Sequence, residues 1–230
     1  MTKFRSVVFA ACLIATVALT SRPATAGVLY SNLGPSNEFD ATAGFYVEGT
    51  KYNGQTMATP FLLGAGATVG DAVLGLGNYG FSTGNSPLDL YIESDNSGLP
   101  GSVLATLTQV GTIPPFTNGG FPPTYTSGLV TFTCASGCTL AAGSYWLVAL
   151  EPDAGSLQVW AFDYLDAQTN YTFNDLNSAT GPWQQPTILD TAVAFRIDGA
   201  DTTTPEPGSL ILLASGLLGL AGLVRRRGAQ

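Results

Sequence analysis

The stretch that decides the fold is "LDLYIE", residues 88–93. Leu88, Leu90 and Ile92 alternate with Asp89, Tyr91 and Glu93, and a period of two with one apolar face is the mark of a half-buried strand. Residues 193–198 repeat the pattern, with Val193, Phe195 and Ile197 on one side and Ala194, Arg196 and Asp198 on the other. "SYWLVAL", residues 144–150, is apolar on both faces, which predicts a central strand. Further strands are expected at 28–30, 45–47, 72–76, 103–107, 129–133 and 157–162, separated by Asn-Ser-Gly, Pro-Gly and Gly-Gly clusters. No segment between residues 27 and 204 carries a helical period. The expectation is an all-β domain, an antiparallel two-sheet sandwich of jelly-roll type. Residues 113–126, rich in Pro, Gly and Phe, are expected to form a surface loop.

The two ends of the 230-residue chain differ from this middle. Lys3 and Arg5 precede an apolar run over residues 7–19, and Ala24-Thr25-Ala26 has the small-x-small form of a signal-peptidase site. Residues 1–26 therefore read as a signal peptide cut after Ala26, which carries Cys12 away with it. At the other end, residues 209–224 form a 16-residue run that is apolar on every face, followed by Arg225, Arg226 and Arg227. Sixteen residues reach roughly 24 Å as a helix, short of the ~30 Å hydrocarbon core. The arginines offset part of the deficit by snorkelling to the headgroups. The expectation is one short transmembrane helix with its basic end in the cytoplasm, leaving residues 27–204 outside. Gly216, Gly219 and Gly222 give that helix a small-residue flank for close approach. Pro205 and Pro207 around Glu206 hold the preceding peptide extended, the form a membrane-embedded processing enzyme grips.

These three parts in order, Pro205-Glu206-Pro207, the apolar helix and Arg225 to Arg227, resemble the PEP-CTERM sorting signal of Gram-negative bacteria. The resemblance covers residues 205–230. It implies recognition and removal of the tail by an exosortase, a membrane transpeptidase-like enzyme, and an association with exopolysaccharide or biofilm. The implied path is export, an inner-membrane intermediate, then the cell surface or extracellular matrix.

Residues 27–204 are enough for one domain with a sizeable core. Their charge is lopsided. Lys51 and Arg196 are the only basic residues against 15 acidic ones, a net charge of −13. Such a surface repels nucleic acid and keeps an exported protein soluble. The chain has no histidine, which removes Ser-His-Asp and Cys-His catalysis and imidazole metal sites together. No catalytic residue is expected.

Cys134 and Cys138 bracket Ala135-Ser136-Gly137, a sequence suited to a hairpin turn. The expectation is a disulfide across that hairpin, favoured by an oxidising compartment. "ESDNSGLPG", residues 93–101, is the other local constellation. Glu93, Asp95 and Ser97 before Gly98 resemble the first half of an EF-hand calcium loop, but Leu104 stands at the twelfth position, where that loop needs a bidentate glutamate. Glu93 and Asp95 are thus calcium candidates only with ligands from elsewhere, and the simpler reading is a strand end and turn with no metal or cofactor. Residues 93–101, with the Gly-Leu-Pro-Gly turn, and residues 138–150, with the Gly-Ser-Tyr-Trp strand entry, resemble the choice-of-anchor domains of secreted bacterial proteins, the R type. That resemblance implies an anchoring context and supplies no catalytic residue.

Three activities fit. The first is a structural or adhesive component of the surface or exopolysaccharide matrix. The second is a carbohydrate-binding module that stacks sugars on Trp146, Trp160 or Trp183. The third is a carboxylate glycosidase, which needs no histidine, although 15 acids make some close pair inevitable.

Overall fold

A computed structural model describes residues 27–79, 86–116, 127–164, 168–169, 171–174, 177–185 and 190–201. The strands are β1 (Gly27–Ser31), β2 (Phe39–Glu48), β3 (Thr56–Leu63), β4 (Ala67–Tyr79), β5 (Asp89–Asp95), β6 (Pro100–Val110), β7 (Pro115–Phe116), β8 (Gly128–Leu140), β9 (Gly143–Leu150), β10 (Leu157–Asp163), β11 (Gln168–Thr169), β12 (Thr172–Asn174), β13 (Asp190–Thr191) and β14 (Phe195–Asp201). One short 3-10 turn, Pro35–Asn37, interrupts them. Among the described residues no helix is long and apolar enough to cross a membrane. The signal peptide and the C-terminal helix expected from sequence lie outside the described residues.

The all-β expectation holds, and the strands join in one curled, largely antiparallel sheet whose two halves face each other. Twelve strands join in a continuous network along the path β1-β14-β4-β8-β6-β5-β9-β3-β12. β10 bridges β2 to β4, β7 pairs with β4, and β11 and β13 form a separate pair. The joint is β6. Its earlier part pairs with β5, and its last three rungs, Thr108↔Thr133, Gln109↔Phe132 and Val110↔Thr131, pair with β8. A strand of eleven residues, with register breaks around Glu93 on its partner β5, is long and irregular enough to belong to both halves, the way strands turn corners between packed sheets.

The two halves close on a shared core. Leu74, Leu76, Phe132, Trp160, Phe195 and Ile197 from one side meet Met57, Phe61, Leu90, Ile92 and Leu147 from the other, all buried. The rings of Phe61 and Phe195 meet edge to face at 6.2 Å, and Tyr30 stacks on Phe195 at 4.9 Å. Each such side chain contributes roughly 1.5–3 kcal/mol by leaving water. The residues that alternated in sequence, Leu88, Leu90 and Ile92, all face this core, and β9 is central, paired with β3 and β5. The segment expected to loop over the surface begins instead with buried Ile113 and the β7 rungs to Asn78 and Tyr79; residues 117–126 are outside the described set.

Cys134 and Cys138 are bonded to each other, with Cα atoms 6.3 Å apart. The hairpin expected between them is absent, since both lie within the single strand β8. Cys138 faces Val69 and Thr133 faces Asp71, so residues 134–137 bow out opposite Gly70 alone. The partner strand β4 runs unbroken past this point and holds β8 on both sides of the bulge. The disulfide cinches the bulge and does not staple two strands. Closing so short a loop restricts the unfolded chain by about 2 kcal/mol. Unreduced, denatured protein should therefore show near-zero free thiol, and the Cys134→Ser, Cys138→Ser pair should lower the unfolding free energy by about that amount. Two reactive thiols in protein kept from reductant would contradict the assignment.

Candidate functional site

The outward face of the β12-β3-β9-β5 half is the most unusual part of the domain. Strand alternation places Tyr91 and Glu93 of β5 opposite Val148 and Trp146 of β9, with Ala58 and Pro60 of β3 behind them and Thr172 of β12 beside Ala58. An outward face would ordinarily be wet. Here it is buried: Ala58, Trp146 and Val148 form a second apolar cluster with Tyr91 and Trp183 packed on it. Residues 177–185 provide the cover. The Asn177 amide donates to Gly54 O at 2.7 Å, Asn174 Nδ2 to Ser178 O at 2.7 Å, and Gln185 Nε2 to Gly98 O at 2.8 Å. Gln184 pairs with Phe173 through both backbone bonds. This strap ties β12 to the β5–β6 turn.

Beneath the strap and along its edge lie polar atoms without partners. Both carboxylate oxygens of Glu93, the hydroxyls of Thr56 and Thr172, Asn177 Oδ1 and Trp183 Nε1 are buried and make no hydrogen bond. Glu93 itself is 0% exposed. Buried polar groups are nearly always bonded, so their gathering on one face singles it out. Burial pushes the Glu93 carboxyl up to about 7, because the charged form loses its hydration. Neither basic side chain of the domain is recorded near it. Arg196 donates to Asp198 and Asn37, and Lys51 stands near Gly155.

Asp95, the other calcium candidate, has both oxygens engaged. Oδ1 accepts from Trp146 Nε1 at 2.8 Å and Oδ2 from the Gly98 amide at 3.2 Å. The loop closes as a turn, with reciprocal backbone bonds between Asn96 and Leu99 and positive φ at Ser97 and Gly98. Glu93 lies opposite Trp146 on β9, the residue whose Nε1 bonds Asp95, but its own oxygens make no hydrogen bond. Among the described residues no group of three or more Asp, Glu, Cys or His is placed to hold a metal.

A second buried carboxylate, Glu151, escaped attention in the sequence. It accepts from the Asp153 amide at 2.9 Å and from Gln158 Nε2 at 3.1 Å, yet burial still pushes its carboxyl up to about 7. Gln158 stands seven residues on, across the turn from β9 to β10, and no apolar periodicity marks either residue as buried. The three tryptophans considered for sugar stacking are also placed. Trp160 is in the main core, donating Nε1 to Ala194 O at 3.0 Å. Trp146 is buried on the outer face, and Trp183 is half-buried in the strap. None stands out as a flat exposed platform.

Beyond Asp201 the sequence runs directly into residues 203–227, which match the PEP-CTERM protein-sorting motif. The chain carries a PEP-CTERM sorting signal. The match contains Pro205, Glu206, Pro207, Arg225, Arg226 and Arg227, the residues expected to direct processing; their structure, like that of Ala24 and Ala26, is outside the described set. A PEP-CTERM motif implies an exported protein, processed at the membrane by an exosortase. No curated protein matches the sequence. Among solved structures, the cysteine protease and lectin-like domains of Cwp84, a surface layer associated protein of Clostridium difficile, align with 64% of this chain and 33% of their own at 14% identity and TM-score 0.36. The complex of Aeromonas sobria serine protease (ASP) and the chaperone (ORF2) aligns with 82% of this chain and 29% of its own at 10% identity and TM-score 0.26. The PEP-CTERM chain thus spans 33% and 29% of those chains, and likeness at this level bears on neither fold nor function.

Proposed function

We propose that the β domain is a non-enzymatic, structural or adhesive component of the surface or exopolysaccharide matrix of a Gram-negative bacterium. The carrying observation is the sorting motif at residues 203–227, joined to the end of β14 by a single residue. In this reading signal peptidase cuts after Ala26, the C-terminal helix holds the intermediate in the inner membrane, and exosortase removes the tail. The resemblance of the Gly98–Gly101 turn and the Gly143–Trp146 strand entry to choice-of-anchor domains supports the same placement. So does the charge of −13 over residues 27–204, which keeps the domain soluble and away from nucleic acid. Mass spectrometry of protein from its host should find a C-terminus ahead of Ser209. A mature form that keeps Arg225 to Arg227 would leave a plain membrane anchor in place of a sorting tag.

A carbohydrate-binding role is the second reading. It draws on the strap, where an indole N–H, a carboxylate, two hydroxyls and an amide oxygen stand unbonded beside Trp146 and Tyr91, the group types that bind sugars. Retention on a panel of acidic and neutral polysaccharides, with product release followed in the same tubes, separates matrix attachment, lectin-like binding and hydrolysis. Retention lost in Trp183→Ala would favour the second reading over the first.

A further inference from the structure

β6 and β8 are neighbours over only three rungs. Towards the other end they part: Val103, Ala105 and Thr106 of β6 have rungs to β5 and none to β8, and residues 138–140 of β8 pair with β4 alone. Between them lies a groove of about 500 Å³, lined by residues 103–106, Cys134, residues 138–141 and Tyr145. No lining residue is charged, in a domain whose net charge is −13. Val103 and Leu104 are 42% and 49% exposed beside it. Two strand edges with open N–H and C=O groups thus face each other across an uncharged slot, the template to which an extended peptide adds.

The exit of the chain points to the occupant. Asp201 of β14 pairs with Ala67 of β4, and Ala67 pairs with Leu140 on the groove wall. β14 and β8 are both antiparallel to β4, so both run to the same end of the sheet. Two ladder steps separate Asp201 from Leu140, about 10 Å. The groove lies one ladder step beyond β8, about 14 Å from Asp201, and four extended residues, Thr202 to Pro205, cover that distance at ~3.3–3.6 Å each. Pro205 thus reaches the groove, followed by Glu206 and Pro207.

We propose that this groove receives the chain's own Pro-Glu-Pro segment as an added strand, antiparallel to β8 and parallel to β6. The β6 edge over residues 103–106 is about 13 Å long, enough for Pro205 to Gly208. Alternation sets Pro205 and Pro207 on the groove side, towards Leu140 and Tyr145, and turns the Glu206 carboxylate to solvent. The prolines bring no N–H, so the Glu206 amide is the donor that bonds to the open edge. Docking couples sorting to the folded domain, because the segment must peel from the groove before an enzyme grips it.

Hydrogen exchange on the full-length chain in detergent micelles tests this. Peptides covering residues 103–106 and 138–141 should exchange about tenfold more slowly in the wild type than in a chain whose residues 202–207 are replaced by Gly-Ser of equal length. Glu206→Pro, which deletes the donor, should lose most of the difference. Equal thermal midpoints in the three chains would show that the domain itself is unchanged. Equal exchange in all three overturns the proposal. Protection that survives the replacement and grows with protein concentration would assign the groove to a second copy, and protection that appears only with added exopolysaccharide would assign it to a glycan; either overturns it as well.

Discussion

Glu93→Gln should stabilise the protein at pH 8 and change it little at pH 4. The Glu93 carboxyl is held up at about 7 in the folded protein, from an ordinary 4.5. Below pH 4.5 it is protonated in both folded and unfolded chains and has no influence. Between pH 4.5 and 7 the unfolded chain ionises and the folded one does not, so stability falls as pH rises and levels off above 7. At about 1.4 kcal/mol per pKa unit the loss approaches ~3 kcal/mol for Glu93, an upper figure. Glu151 adds a second loss of the same sign over the same window. The wild-type unfolding free energy should therefore drop between pH 4.5 and 7.5, and Glu93→Gln should remove roughly half of that slope. Urea titrations at high ionic strength make the measurement, since salt screens the general repulsion of the acidic surface over less than ~8 Å and leaves the buried groups unscreened. An unchanged slope in the variant would mean that the carboxyl is hydrated and the strap does not seal it.

Trp160→Ala should cost about 3–5 kcal/mol, a large part of the 5–15 kcal/mol typical of a domain. The side chain is wholly buried where β10 meets β4 and packs edge-on against Phe195 at 6.2 Å. Trp160→Phe is the informative contrast. It keeps most of the ring and loses the bond from Nε1 to Ala194 O, but that carbonyl also accepts from the Gly75 amide at 3.1 Å and is not orphaned. Its cost should be nearer 1 kcal/mol. Denaturant midpoints for the two variants measure the difference. A loss below 1 kcal/mol in the alanine variant would place the ring outside the core.

Where a feature is written in local periodicity, the sequence alone disclosed it. β5, β9 and β14 announced themselves through alternation or through an apolar run on both faces, and the core residues followed. β3 did not, because Pro60 in "TMATPFLL" argues against a strand. The structure tolerates it because β12 begins opposite Ala58, and among the described residues no strand rung on that side of β3 reaches Pro60. The cysteine spacing fits a hairpin or a bulge equally well, and only the unbroken run of β4 decides between them. Glu93 was legible as an outward residue. Its burial depends on a strap more than 80 residues further along the chain, and nothing local foretells that. The sorting motif was plain from the sequence because an enzyme reads it as a linear peptide.

The placement of β14 has a mechanical consequence. It is held between β1 and β4, with rungs on both edges along most of its length, and it is the strand that leads to the sorting tail. A protein moored through that tail and tugged by whatever holds its far side would feel the load along the axis of β14. The two flanking ladders would then be sheared with all their bonds sharing the force, where a peripheral strand peeled sideways would surrender them one at a time. While the tail is still in place, such a load would fall on a strand flanked by a ladder on each edge.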